Sequence, residues 1–294
     1  MKKRALPLII GNWKTSPETL KEAVSLIKTL EKKLSAKKKT KLGYYLAVPD
    51  LFVSSTSSIS KYGLIGTQTI SGLVQGAQTG LQTVSMAKSS GASFTLLGHS
   101  EVRARGEADD VIAKKVVATL KEKLLTVLCI GEQERDTNGA YLNVLEEQLR
   151  KNLSLVDRSL FDNLVIAYEP VWAIGKDVSA TPNECFEAVI ALRRALASLV
   201  GIDHAKKVAI LYGGTVTKEN AVSFLQEGGV DGLLIGRSST NATTFADIII
   251  ETRKKRILEN QEKESAQKLL TILLEDQLKL LHPFMPFVTE SLWQ

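Results

Sequence analysis

Short apolar runs recur along the chain between longer amphipathic stretches. The runs are LPLII, LGYYLAV, YGLIG, SFTLLG, LLTVLCIG, LVIAYE, KVAILYGG and VDGLLIG, eight in all. They are continuous and do not alternate with polar residues, which predicts strands buried on both faces. The stretches between them read as helices: Ile112, Val116 and Leu120 recur at every fourth position, and Glu184 to Leu199 is rich in Ala, Leu and Arg. Strand and helix therefore alternate, which predicts an α/β protein with a parallel sheet. Eight such units close naturally into a barrel, with an open doubly wound sheet as the alternative.

The chain has 294 residues, 44% hydrophobic and 24% charged. That suits one barrel of about 250 residues with an appendage. The two cysteines, Cys129 and Cys185, cannot form a disulfide framework. No apolar run approaches the roughly 18 residues needed to span a bilayer. The start, MKKRALPLIIGNWK, lacks the apolar length and cleavage site of a signal peptide, so a cytoplasmic protein without membrane contact is expected. The formal net charge is +6, and residues 1–41 alone hold 12 Lys and Arg against 3 Glu. No aromatic residues interleave with the lysines of KKLSAKKKTK, so they read as a solvated helix end and loop, and nucleic acid is not expected as a partner.

Polar residues gather where the strands end, and parallel strands bring those ends to one mouth. Strand one ends in Gly11-Asn12-Trp13-Lys14, strand three in Thr67-Gln68, strand four in Gly98-His99-Ser100-Glu101 and strand six in Tyr168-Glu169. The last two end in Tyr212-Gly213-Gly214-Thr215 and Ile235-Gly236-Arg237. Glycines there let backbone amides approach a ligand closely, and such amides suit a phosphate. Lys14 alone would be a solvated charge and His99 alone a structural histidine. Glu169 is harder to dismiss, because an ionised carboxylate avoids apolar surroundings unless it is paired or used.

The motifs GNWK, GHSE, CIGE, AYEPVWAIG, YGGTV and GVDGLLIG stand in the order and at the spacing of the triosephosphate isomerase family, and residues 6–252 resemble it throughout. The resemblance implies a (β/α)8 barrel, the fold named after that enzyme, that interconverts dihydroxyacetone phosphate and D-glyceraldehyde 3-phosphate through an enediolate. Carried over residue by residue, Glu169 is the base, His99 the neutral electrophile, Lys14 a fixed positive charge and Asn12 an orienting group. Pro170 starts a hinge whose loop closes over the substrate. Backbone amides at Gly175, Thr215, Gly236 and Arg237 form the phosphate cradle. Glu101 supports the lysine, and Cys129 packs beside the base. Proton transfer of this kind needs neither metal nor organic cofactor. The resemblance also implies a homodimer, with a small triose phosphate as the substrate.

Several positions depart from the family. Thr215 replaces a serine, Arg237 a second glycine, Thr69 an asparagine, and Lys176-Asp177-Val178 the usual lid tip. Leu81 and Val102 stand where a glutamate and an arginine commonly pair across the dimer, which leaves an apolar contact at that place. Beyond the barrel, residues 253–294 read as a helical extension. Leu269, Leu270, Leu273, Leu274, Leu278 and Leu281 form one apolar stripe, and the helix stops by His282-Pro283. LLHPFMPFVTESLW resembles part of the anticodon-binding region of valyl-type class I aminoacyl-tRNA synthetases. The alternative function is therefore a barrel that mainly carries a tRNA- or synthetase-binding module. The intact set Asn12, Lys14, His99 and Glu169 favours the isomerase.

Overall fold

Eight strands close into a parallel barrel in chain order, β1 (Leu8–Asn12), β2 (Tyr44–Ala47), β3 (Gly63–Thr67), β4 (Phe94–Leu97), β5 (Leu125–Ile130), β6 (Leu164–Tyr168), β7 (Ala209–Tyr212) and β8 (Gly232–Ile235). The last pairs with the first, Leu8 opposite Gly232 through Gly11 opposite Ile235, so no strand edge is left open. This computed structural model describes residues 7–35, 43–72, 76–174 and 179–255, together with Gln267, Leu270, Thr271, Leu273 and Leu274.

The helices are α1 (Leu20–Ser35), α2 (Val53–Ser57), α3 (Val84–Ser89), α4 (Ser100–Ala104), α5 (Asp109–Lys121), α6 (Ala140–Leu153), α7 (Pro182–Val200), α8 (Ile202–Ala205), α9 (Ala221–Glu227) and α10 (residues 242–255). The longest starts on a full capping box. The Thr181 side chain accepts from the Glu184 backbone N–H, the Glu184 carboxylate accepts from the Thr181 N–H, and Pro182 occupies the first turn. Thr252, near the end of α10, is buried.

Alternation within each strand explains why the runs read as continuously apolar. Leu8, Ile10, Phe94, Leu96, Val127, Cys129, Val165, Ala167, Leu211 and Leu234 belong to the cluster that fills the barrel. Their neighbours Ile9, Leu97, Leu128, Ile130, Ile166, Tyr168, Ile210, Tyr212, Leu233 and Ile235 join a second cluster with the helices. A residue type that tolerated water on either face would break one of the two cores. Inside, small Ala167 and Ala209 offset bulky Phe94, whose ring meets Tyr45 edge-on at 5.7 Å.

Contacts divide the chain into two units, Met1–Thr252 and Arg253–Gln294. In the second unit the described residues are helical, with Leu270, Leu273 and Leu274 exposed. Leu269, Leu278, Leu281 and His282 lie outside the described residues.

Candidate active site

At the mouth of β1, Asn12 is buried and Lys14 adopts φ 54°, a left-handed conformation that a lysine rarely takes. Three contacts hold it there. The Lys14 N–H donates to Asn12 Oδ1 at 3.0 Å, the Lys14 carbonyl accepts from Gln68 Nε2 at 2.7 Å, and the Lys14 ammonium donates to Glu101 Oε1 at 2.5 Å. Burial would raise the Glu101 carboxyl, but the hydrogen bond and charge of Lys14, with Arg105 adding, bring it below its usual value.

His99 precedes α4, and its Nδ1 accepts the Glu101 N–H at 3.2 Å. A neutral imidazole held this way carries its proton on Nε2. That nitrogen lies 3.2 Å from Glu169 Oε1. Glu169 follows β6 and is only 2% exposed. Its Oε2 accepts the Ser100 N–H at 2.9 Å, whereas Oε1 is buried without a well-aligned hydrogen-bond donor. The contact to His99 thus meets the distance of an ion pair but not the geometry of a hydrogen bond. One oxygen of this carboxylate is anchored and the other is available. The Cys129 thiol is fully buried beside it; burial, then the charge of Glu169, push that thiol well above its ordinary range, so it stays protonated.

Glycine at 131 is required by the strand-six backbone, since a Cβ there would meet the Glu169 carbonyl oxygen at 1.7 Å. The next residue, Glu132, follows β5 and is buried against the start of the loop that follows Glu169. Its Oε1 accepts from Tyr168 Oη and Trp172 Nε1, both at 2.8 Å, and its carbonyl accepts from the Val171 N–H at 3.1 Å. Burial raises this carboxyl, and the hydrogen bonds from Trp172 and Tyr168 only partly offset it. Pro170 and a short 3-10 turn, Val171–Ala173, begin the loop, and Thr215 Oγ1 donates to the Ala173 carbonyl at 3.1 Å. Gly175 and the tip Lys176-Asp177-Val178 lie outside the described residues.

A cavity of about 430 Å³ opens over these groups. Asn12, Lys14, His99, Glu169, Thr215, Gly236 and Arg237 all line it, so every described catalytic and cradle candidate faces one space, with Glu101 and Cys129 directly behind it. Gly236 caps a short 3-10 turn, Arg237–Thr240, which directs the start of that turn at the cavity. Arg237 is exposed, and its side chain makes no ion pair with a described residue. Thr69 accepts instead from Lys115 Nζ at 3.4 Å. Leu81 is half exposed and Val102 partly buried.

Pattern reading missed the residues that hold this set: the Ser100 N–H on Glu169, Gln68 on the strained lysine, and Glu132 on Tyr168 and Trp172. Gln68 and Glu132 stand inside motifs already legible at strand ends, so their position was a signal although their partners were not. Among the described residues, no cluster of His, Cys, Asp or Glu is placed to hold a metal ion, and no helix is long and apolar enough to cross a membrane.

Two family models match the chain. That of triosephosphate isomerase covers residues 7–252, and that of the anticodon-binding domain of tRNA ligase covers residues 240–294. The two matches overlap on α10. Triosephosphate isomerase of Caldanaerobacter subterraneus subsp. tengcongensis is 36% identical over 248 residues, which is 83% of this chain and 98% of that protein. Its counterpart in Flavobacterium psychrophilum is 34% identical, over 82% of this chain and 97% of that protein. The crystal structure of triosephosphate isomerase from Bartonella henselae superposes with a TM-score of 0.72 at 32% identity, covering 82% of this chain and 97% of that one. With its closed barrel, its strand-end residues around one cavity and this likeness over nearly the whole length of its relatives, the chain belongs to the triosephosphate isomerase family.

Proposed function

We propose that Glu169 is the base of the reaction that gives the family its name, the interconversion of dihydroxyacetone phosphate and D-glyceraldehyde 3-phosphate. The observation that carries this reading is the carboxylate of Glu169: buried, anchored through Oε2 and free at Oε1 beside His99. Oε1 takes the proton from the carbon next to the carbonyl, and the electron pair moves onto the carbonyl oxygen to give an enediolate. The same carboxyl returns the proton to the neighbouring carbon. His99 Nε2–H donates to the two substrate oxygens in turn, and a neutral imidazole is better matched to them in proton affinity than an imidazolium. Lys14 and Asn12 offer charge and hydrogen bonds to the developing oxyanion.

The phosphate sits at the backbone amides of Gly175, Thr215, Gly236 and Arg237. Support comes from the last three, which line the cavity where glycine and a turn start leave room for close approach. The loop after Pro170 closes over the substrate, keeps water from the enediolate and prevents loss of phosphate. We read residues 1–252 as this catalytic barrel and residues 253–294 as an appended helical module, in a cytoplasmic enzyme. A homodimer uses the surface of Leu81 and Val102, and the exposure of Leu81 supports an apolar contact there.

A second reading rests on the anticodon-binding match to residues 240–294. It makes the barrel a carrier for a tRNA- or synthetase-binding module. A coupled assay of glyceraldehyde 3-phosphate turnover, set beside retention on a tRNA column at physiological salt, separates the two. Fast turnover without retention supports the isomerase alone. Retention with no turnover supports the carrier.

A further inference from the structure

We infer that Arg103 is a positioning residue for the isomerase reaction, its guanidinium setting the distance between the strand end that carries His99 and the strand that packs behind Glu169. The inference rests on the roles proposed above for those two residues. The ladder between β4 and β5 ends at the pair Leu97 and Leu128. One residue further on, Arg103 takes over: its Nε donates to the Gly98 carbonyl at 2.7 Å and its Nη2 to the Cys129 carbonyl at 3.3 Å. Gly98 immediately precedes His99, and the Cys129 side chain lies against Glu169. The guanidinium thus spans the backbones on which both members of the acid/base pair depend.

The guanidinium is itself held from two sides. Nη1 donates to Asp109 Oδ1 at 2.5 Å at the start of α5, and Nη2 to Asn152 Oδ1 at 2.9 Å on α6. Asn152 is fully buried and donates in turn to Asp109 Oδ1 at 2.6 Å and to the Gln148 carbonyl at 2.8 Å. The Gln148 side chain closes the set, accepting the Gly131 N–H at 2.8 Å next to the Glu169 backbone. Asp109, Asn152 and Cys129 are fixed in helix or strand, and Gly98 directly follows β4, so the fork is held by all four partners.

Glycine at 98 fits this clamp on two counts. Its φ is +66°, which a side chain disfavours, and a Cβ would lie 2.9 Å from Arg103 Nη2. The backbone turn there aims His99 inward and places the Ser100 N–H on Glu169 Oε2. A lysine at 103 would keep the positive charge, but its single ammonium cannot present the planar fork that reaches two carbonyls, a carboxylate and an amide together. Misplacement of a reacting group by about 1 Å costs on the order of a hundredfold in rate. Among the described residues, the hydrogen bonds of this network join β4, β5, α5 and α6 and do not include Thr215, Gly236 or Arg237.

The test is Arg103→Lys in the full chain, with the fold checked by circular dichroism and melting. The expected result is a kcat lower by about 10- to 100-fold, with KM and the affinity for inorganic phosphate within about twofold of the original. A double variant with His99→Gln should lose little beyond His99→Gln alone, because the arginine acts through that histidine. Should Arg103→Lys not fold, the near-isosteric Asp109→Asn loosens the same fork and should give a smaller loss with the same split. A folded variant with unchanged kcat overturns the inference, as does a parallel fall in kcat and phosphate affinity or a double variant whose losses multiply. If His99→Gln itself keeps full turnover, the roles proposed for the acid/base pair fail first. If it loses turnover while the Arg103 and Asp109 variants do not, the positioning role alone is wrong.

Discussion

The backbone N–H of Ser100 anchors Oε2 of Glu169 at 2.9 Å and leaves Oε1 as the oxygen next to His99. The residue after the proposed electrophile thereby orients the proposed base. Shortening the carboxylate separates these two functions: in Glu169→Asp the carboxyl retracts by one methylene while the cradle residues are untouched. Turnover should fall at least about a hundredfold, and phosphate affinity should hold. Steady-state kinetics with a phosphate titration checks this, and near-normal turnover would remove Glu169 as the base.

Arg237 lines the cavity but is exposed and pairs with no described carboxylate. Its side chain is expected to point outward, leaving only its amide at the ligand. Arg237→Gly should therefore change affinity for a phosphate analogue by less than about twofold, with the same dependence on salt. A drop in affinity together with a weaker salt dependence would show that the guanidinium supplies charge to the phosphate.

Glu101 has its carboxyl below the usual value, and the sign of its pH effect follows. A depressed folded-state value contributes stability that is present above the unfolded value, near 4.5, and is lost as pH falls through the folded one. Both partners of the Lys14–Glu101 pair are at least a third exposed, so the effect is small. Glu101→Gln should melt below the original protein by at most about 3 °C at pH 7. The two melting curves should converge towards pH 3. A gap that widens on acidification would contradict the assignment.

A chain ending at Arg256 keeps every strand, the buried Thr252 and Arg253, and all described cavity residues. Its kcat per active site should match that of the full chain in the coupled assay. The exposed Leu270, Leu273 and Leu274 would be gone, so solubility or oligomeric state is where a change is expected. Lost turnover in a folded truncation would mean that the extension takes part in the site.

Much of this was legible before any coordinates because a closed parallel barrel imposes one demand on every strand. Both faces are buried, so Val165, Ile166 and Ala167 are all apolar, although two face the barrel and one faces the helices. The same closure sends each strand end to one mouth, and Asn12, His99 and Glu169 stand at those ends. What stayed hidden depends on register between strands. The Cys129 and Gly98 carbonyls come within reach of Arg103 only because β4 and β5 pair as they do, and no spacing within one segment encodes that.

The pairing of β1 with β8 has a consequence for how the molecule is made. The first strand cannot complete its hydrogen bonds until Gly232 to Ile235 have been synthesised, so the most distant segments of the barrel must meet last. Until then an emerging chain presents two strand edges with unpaired backbone N–H and C=O groups, each a template for another copy. Any ribosomal product that stops short of β8 is thus an open seven-stranded sheet with two unpaired edges, and the chain leaves that state only when β8 seats between β7 and β1.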